Sequence, residues 1–273
     1  MLDLKKEKLL IRLINRFFPQ RFKLANLTNY PVIGDVFDKL FFEEDHMYYL
    51  TKDEVIEMNK VIEMPDNYVL PSKIVEHFIE EADHHWIMDF CICRKSNGCD
   101  DFPVELGCLF LGEAAKDIDP ELGRLVTKEE ALEHVEKCRK EGLVHLIGRN
   151  KLDPVWLDVR PDKKLMSVCN CCPCCCLWKM LPDLREDIEG KIKSLPGVEI
   201  EVNERCVGCG KCTEVCFVDA IEMKDGKAVI TEDCRGCGRC IEVCPEDAVE
   251  LVMRDLDYYD KSIGELEDAV DVY

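Results

Sequence analysis

Two cysteine runs near the C-terminal end share one spacing. The first is Cys206-x2-Cys209-x2-Cys212-x3-Cys216, and the second is Cys234-x2-Cys237-x2-Cys240-x3-Cys244, closed by Pro245. No helix or strand can run unbroken through such a segment and bring three successive thiols around one centre. The backbone must turn, and Gly208, Gly210, Gly236 and Gly238 stand where it is predicted to take positive φ and bring N–H groups near sulfur. Paired CxxC units also hold zinc, but four cysteines crowded into one turn-rich loop, twice over, fit iron–sulfur clusters better.

On the motifs CVGCGKCTEVC and CRGCGRCIEVCP, residues 198–253 resemble a bacterial-type ferredoxin with two [4Fe-4S] clusters. The resemblance implies that Cys206, Cys209, Cys212 and Cys244 hold one cluster. It implies that Cys234, Cys237, Cys240 and Cys216 hold the other. Phe217 stands where the family has proline after the fourth cysteine, which leaves the shape of that loop open. The upstream part is similar to ferredoxin-domain proteins of anaerobes that carry a CxCR segment followed by a CxCC-type cluster. That likeness implies cluster binding and no particular activity.

The chain has 19 cysteines, so eleven lie outside the two runs. Cys138, alone in a predicted helix, reads as a packing residue. The other ten fall in two groups: Cys91, Cys93, Cys99 and Cys108, then Cys169, Cys171, Cys172, Cys174, Cys175 and Cys176. Both groups lie at the ends of predicted strands, so a fold can unite them. Ten thiols exceed what one cubane needs and suffice for two, so one or two further clusters are expected; a non-cubane cluster is an alternative. Neighbouring side chains in extended backbone face opposite sides, so the tract cannot aim every thiol at one centre. Two clusters flanking it, or one cluster with spare thiols, fit that geometry. Arg94 and Lys95 would offset thiolate charge. His84, His85, His134 and His145 lack paired ligand spacing and are not expected to bind metal. There is no GxGxxG, no P-loop and no nucleophile–base signature.

The expected fold class is α+β: a mainly helical N-terminal domain with a small antiparallel sheet, then a two-cluster ferredoxin fold. The expected divisions are a cysteine-rich domain over 1–176, a connector over 177–197, the ladder domain over 198–253 and an acidic tail over 254–273. Leu4 to Phe18 reads as an amphipathic helix with Lys8, Arg12 and Arg16 on one face, ended by Pro19. Capping boxes at Thr51/Glu54 and Thr127/Glu130 open helices to about Glu63 and Gly142. Further helices are predicted from Pro71, over Pro103–Lys116 and over Asp183–Ser194. Strands are predicted over Ile87–Cys93, Leu143–Ile147, Val155–Val159 and Leu165–Val168, the last three as a meander.

The net charge is −20, spread unevenly. Residues 201–273 hold 19 acidic and 8 basic side chains, whereas residues 1–24 hold 7 basic and 2 acidic. An acidic surface argues against nucleic acid and for basic patches on a redox partner or larger oxidoreductase complex. The basic head is expected to pack on its own protein or a partner subunit, with membrane-surface contact as the lesser reading. With no signal peptide and no long apolar span, a cytoplasmic protein is expected. The leading expectation is an electron-transfer protein passing single electrons between low-potential partners. The alternative is an iron–sulfur oxidoreductase, or enzyme subunit, whose N-terminal cluster binds a disulfide or sulfur compound. A third reading, a redox sensor or cluster-assembly factor, rests on a helix-then-hairpin pattern like a winged helix.

Overall fold

The computed structural model describes residues 9–58, 69–255 and 257–273. Lys8 and the stretch after Met58, with the predicted end of that helix near Glu63, lie outside the described residues. Upstream of the ladder segment are the strands β1 (His46–Tyr49), β2 (His85–Met88), β3 (Leu109–Leu111), β4 (Gly123–Val126), β5 (Val144–Arg149), β6 (Met166–Cys171) and β7 (Ile192–Ser194). They form one sheet in the order β4-β2-β3-β6-β5-β1-β7. Every pairing is antiparallel except β1 with β7.

The mixture of helix and sheet is as the sequence predicts, but the sheet is not the small antiparallel one expected. The reason is burial on both faces. All residues of β2, β3 and β5 are buried, so these strands lack the polar–apolar alternation that marks a half-exposed strand. Tyr48, Ile87, Leu109, Leu111, Ile147, Met166 and Val168 point to one face. There they meet the helices Ser72–Glu81, Lys128–Lys140 and Tyr258–Ala269 through Phe78, Val135 and Leu266. The alternate residues Met47, Tyr49, Val144, Leu146 and Cys171 point to the other face and pack on Trp178, Leu181 and Phe42. The thiol-bearing residues of β6 lie on this second face.

Other expectations are corrected locally. The predicted strand Val155–Val159 lies largely in a helix, Leu152–Leu157, which Asp158 ends in the left-handed region at φ 57°. Pro103–Lys116 is not a helix: a loop leads into β3 and then a 3-10 turn over Glu113–Asp117. The segment is drawn onto β2 instead: Met88 N–H donates to the Cys108 carbonyl at 3.0 Å, and Gly107 permits the approach, since a Cβ there would come within 2.1 Å of the Met88 carbonyl oxygen. The Ile87–Cys93 strand stops at Met88, and Ile92–Asn97 is helical. Asp183–Ser194 holds only the short helix Glu186–Glu189 before β7. β5 and β6 are interior strands of the sheet, so no winged hairpin projects. The Thr127/Glu130 capping box is present in full, and the helix from Pro71 runs over Ser72–Glu81.

The ladder segment pairs β8 (Val198–Val202) with β11 (Val249–Met253), and β9 (Ile221–Lys224) with β10 (Lys227–Ile230) through a tight turn with positive φ at Asp225 and Gly226. It shares a hydrophobic core with the upstream sheet: Ile200, Leu251 and Tyr258 belong to one cluster with Tyr48, Val55 and Phe78. Polar contacts reinforce this seam. The Thr51 hydroxyl donates to the Gly236 carbonyl (2.8 Å), Lys52 N–H to the Cys237 carbonyl (3.3 Å), and Arg235 meets Glu189 at 2.5 Å. The predicted acidic tail is the helix Tyr258–Ala269, lying on the sheet with Leu266 fully buried.

Asp45 is buried beside this sheet, and its Oδ1 accepts from the Lys151 N–H at 2.7 Å. Burial raises its carboxyl pKa from 3.8 to about 7. Between those values the folded state holds the proton more tightly than the unfolded chain, so Asp45 lowers stability as pH rises through that window. Asp45→Asn keeps an acceptor for Lys151. It is expected to raise the unfolding free energy at pH 8 by on the order of 1 kcal/mol or more, and to flatten the decline between about pH 4 and 7.

Candidate metal centres

The two cysteine runs form the cradles that their glycines allow. Gly208, Gly210, Gly236 and Gly238 all have positive φ, between 64° and 85°. Gly210 and Gly238 open the short helices Lys211–Val215 and Arg239–Glu242. Cys206, Cys209, Cys212 and Cys244 line one cavity of about 20 Å³. Cys216, Cys234 and Cys237 surround Cys240 closely enough to act on it electrostatically. Backbone N–H groups point at sulfur in both halves: Ala228 to Cys206 (3.4 Å), Ala248 to Cys244 (3.2 Å), Ala220 to Cys216 (3.3 Å) and Gly236 to Cys234 (3.4 Å). Such donors favour the thiolate. The N–H groups of Ala228 and Gly208 hold Cys206 below the usual thiol range, while burial pushes Cys234 up to about 11. All-thiolate donor sets ringed by N–H donors suit iron–sulfur clusters. Cys209 is exposed and Cys240 is buried.

The ten upstream thiols divide into two sites. Cys108 lies one residue beyond the Leu109–Val168 pair of β3 and β6. That register sets it opposite Cys169, with the sulfurs 4.0 Å apart. Cys171, two residues on, shares the face and contacts Cys176 across the bend that follows β6. Cys91, just before the helix Ile92–Asn97, contacts Cys93. These three pairs line a cavity of about 310 Å³, walled also by Ile14, Phe18, Trp156 and Trp178. Cys99, Cys172, Cys174 and Cys175 form the second site, with their sulfurs all within 4.8 Å of one another. Cys99 therefore does not share a site with Cys108. The tract can serve both because Pro173–Cys175 is a turn, not extended chain.

Arg94 stands between the sites, fully buried. Its Nη1 donates to the Asn170 carbonyl at 2.9 Å, and its Nη2 to the Leu106 carbonyl. Burial opposes its charge, but the thiols of Cys91, Cys172 and Cys108 outweigh that and hold its pKa above the ordinary value. Cys91 is held down at about 6, first by the hydrogen bond from Cys93, against burial and with help from Arg94. The Lys95 Nζ sits 4.0 Å from the Phe90 ring centroid.

The histidines make other bonds. His85 meets the Ile79 carbonyl, and His134 the Gly107 carbonyl. Asn170 Nδ2 donates to that same carbonyl, which turns its Oδ1 to His145 and makes His145 Nδ1 the donor, at 2.8 Å. Burial lowers His145 to about 4. Cys138 is buried in its helix.

Two residues are not legible in the sequence as part of a site. Tyr49 places its hydroxyl 3.8 Å from Cys171 Sγ and 3.7 Å from Cys176 Sγ. Its ring lies 4.7 Å from that of Phe217. Arg21, stacked on Phe18 and Phe22, acts on Cys93 and Cys176 from the other side. Nothing in the local pattern marks these residues, because the sheet and the N-terminal helices bring them in from a distance. The head helix packs on its own protein: Ser96 donates to Asn15 Oδ1 at 2.7 Å.

Comparison with known proteins agrees for the ladder segment. Residues 198–251 match the family described as a 4Fe-4S dicluster domain. Ferredoxin-2 of Desulfomicrobium norvegicum is 49% identical over 27 residues, 10% of this chain and 46% of that ferredoxin. The chain thus spans less than half the length of that relative. No solved structure matches. The protein carries a ferredoxin-type 4Fe-4S domain. Among the described residues no helix is long and apolar enough to cross a membrane.

Gly208 and Gly210 offer a controlled test of the cradle. A Cβ on Gly208 would sit 2.0 Å from the Gly226 carbonyl oxygen, whereas one on Gly210 meets nothing within 4 Å. Gly210→Ala is expected to cost only the left-handed backbone term, about 1–2 kcal/mol, and to keep its iron. Gly208→Ala is expected to lose the cluster at Cys206, read as lower iron and sulfide content of the anaerobically purified chain.

Proposed function

We propose that the protein is a multi-cluster electron carrier in which the ladder segment exchanges single electrons with outside partners and with the six-thiol centre upstream. The ladder would hold two [4Fe-4S] clusters, one at Cys206, Cys209, Cys212 and Cys244, the other at Cys216, Cys234, Cys237 and Cys240. The six-thiol centre would hold a further cluster. The observation that carries this reading is the contact joining the two regions. Cys216 is followed directly by Phe217, which is buried against Tyr49, and the Tyr49 hydroxyl lies at Cys171 and Cys176. Phe217 is the residue that departs from the family's proline. Arg239 adds a second link, its Nη2 donating to the Cys171 carbonyl at 2.5 Å.

Chemically, the clusters would supply one-electron storage, and the chain would set their potentials. The N–H groups at the ladder sulfurs and the Tyr49 hydroxyl at Cys171 and Cys176 stabilise negative charge, which raises potential. Arg94 and Arg21 act in the same sense on the upstream centre. Ferredoxin-type domains serve redox partners, and the acidic ladder segment suits a basic docking face.

A second reading has its own observation. The cavity at the six thiols, about 310 Å³, far exceeds the roughly 20 Å³ at Cys206. It has room for a small apolar substrate beside a cluster, such as a disulfide. Two experiments decide. Anaerobic redox titration followed by EPR is expected to find an upstream centre whose potential falls in Tyr49→Phe, while the ladder signals stay unchanged. A potential indifferent to that hydroxyl removes the link. Electron delivery to a partner is expected to slow as salt rises, since screening acts over about 8 Å at physiological ionic strength. Reduction of a small disulfide by the isolated chain would favour the second reading instead.

A further inference from the structure

The four thiols of Cys99, Cys172, Cys174 and Cys175 are spaced differently from every ladder set. All four sulfurs lie within 4.8 Å of one another, and Cys99 and Cys174 are 3.5 Å apart. A cubane seats one thiolate on each of four irons and so spreads its ligands across the corners of a cube. A single tetrahedral ion, with metal–sulfur bonds of about 2.3 Å, holds neighbouring sulfurs about 3.8 Å apart. The ladder supplies the comparison inside the same molecule: among the described residues, no three of its thiols come within 4.8 Å of one another.

The local backbone is built for this convergence. Gly98, at φ 61°, ends the helix Ile92–Asn97 in the left-handed region and turns Cys99 back, so that its N–H donates to the Arg94 carbonyl. The turn at Pro173–Cys175 folds Cys174 and Cys175 under Cys172, and the Cys175 N–H points at Cys172 Sγ at 3.4 Å. The Arg94 guanidinium adds a positive charge beside Cys172. Cys172 and Cys175 are buried, while Cys99 and Cys174 are half-buried.

We propose that Cys99, Cys172, Cys174 and Cys175 hold one tetrahedral metal ion, zinc or iron, and not an iron–sulfur cluster. Four soft thiolates in a closed tetrahedron select these metals. With no open position the ion does no substrate chemistry. It staples the loop after the helix Ile92–Asn97 to the cysteine tract, and so fixes one wall of the neighbouring six-thiol cavity. This proposal stands apart from the electron-carrier reading, whose clusters lie at other cysteines.

The full-length chain, purified without oxygen, provides the test. Zinc and iron are counted against acid-labile sulfide, and X-ray absorption is recorded at the zinc edge. The expected result is one zinc per chain, with four sulfur neighbours at about 2.3 Å and no nearby metal at the zinc edge, or one iron beyond the number of sulfides, seen by Mössbauer spectroscopy as a mononuclear tetrathiolate site beside the cluster irons. Cys174→Ser should lose or loosen that ion while sulfide content stays constant. Loss of sulfide in Cys174→Ser would mean that these thiols hold a cluster, and would overturn the proposal. So would a wild-type chain with no zinc and no iron beyond its sulfide. The wild-type spectrum decides the question even if the variant does not fold.

Discussion

A buried guanidinium fixes the geometry on which both upstream thiol sites rest. Arg94 gives its donors to the carbonyls of Asn170 and Leu106, so it ties the end of β6 to the loop before β3. Those two segments carry Cys169, Cys171 and Cys108. The charge is tolerable inside the protein because thiols surround it, and the thiols are tolerable because the charge is there. Either group alone would be an uncompensated buried charge or a set of protonated thiols. Asn170 completes the node with its amide, bonded to Gly107 and His145.

The ladder segment is not an appendage to this structure. Its strands and the helix Tyr258–Ala269 share a core with the upstream sheet, and its second cysteine set faces Tyr49 through Phe217. The position at which the run departs from its family is also the position at which it touches the rest of the chain. A proline there would offer Tyr49 no aromatic ring. The substitution thus has a packing reason that is visible only once the two regions are seen together.

What could be read from the sequence follows from how local the causes are. The ladder, its four glycines and the Thr127 capping box are set within a few residues, and the structure has each of them where expected. The sheet leaves little trace in the sequence because its strands are short and buried on both faces, which erases alternation. Val155–Val159 reads as a strand because Val155, Trp156 and Val159 are β-branched or aromatic, yet tertiary packing makes most of it a helix. The division of the ten thiols depends on strand register and on one turn at Pro173. Neither is written in the spacing of the tract, so Cys99 and Cys108 could be grouped by proximity in sequence and still belong to different sites. Arg94 was legible as a compensating charge, while Lys95, its neighbour, turns to an aromatic ring.

The helix Tyr258–Ala269 follows the ladder segment in the chain but covers the sheet that precedes it. The buried side chains of β1 and β5 therefore wait for Leu266 and Ile263 to arrive from more than a hundred residues downstream. Contacts of such long sequence separation form late and slowly. During synthesis the upstream thiols emerge first and remain on an unfinished scaffold until the ladder has been made. Thiols on an unfinished scaffold are open to oxidation for that interval, before burial protects them. The order of synthesis thus sets how long the upstream thiols stay open to solvent before the core closes over them.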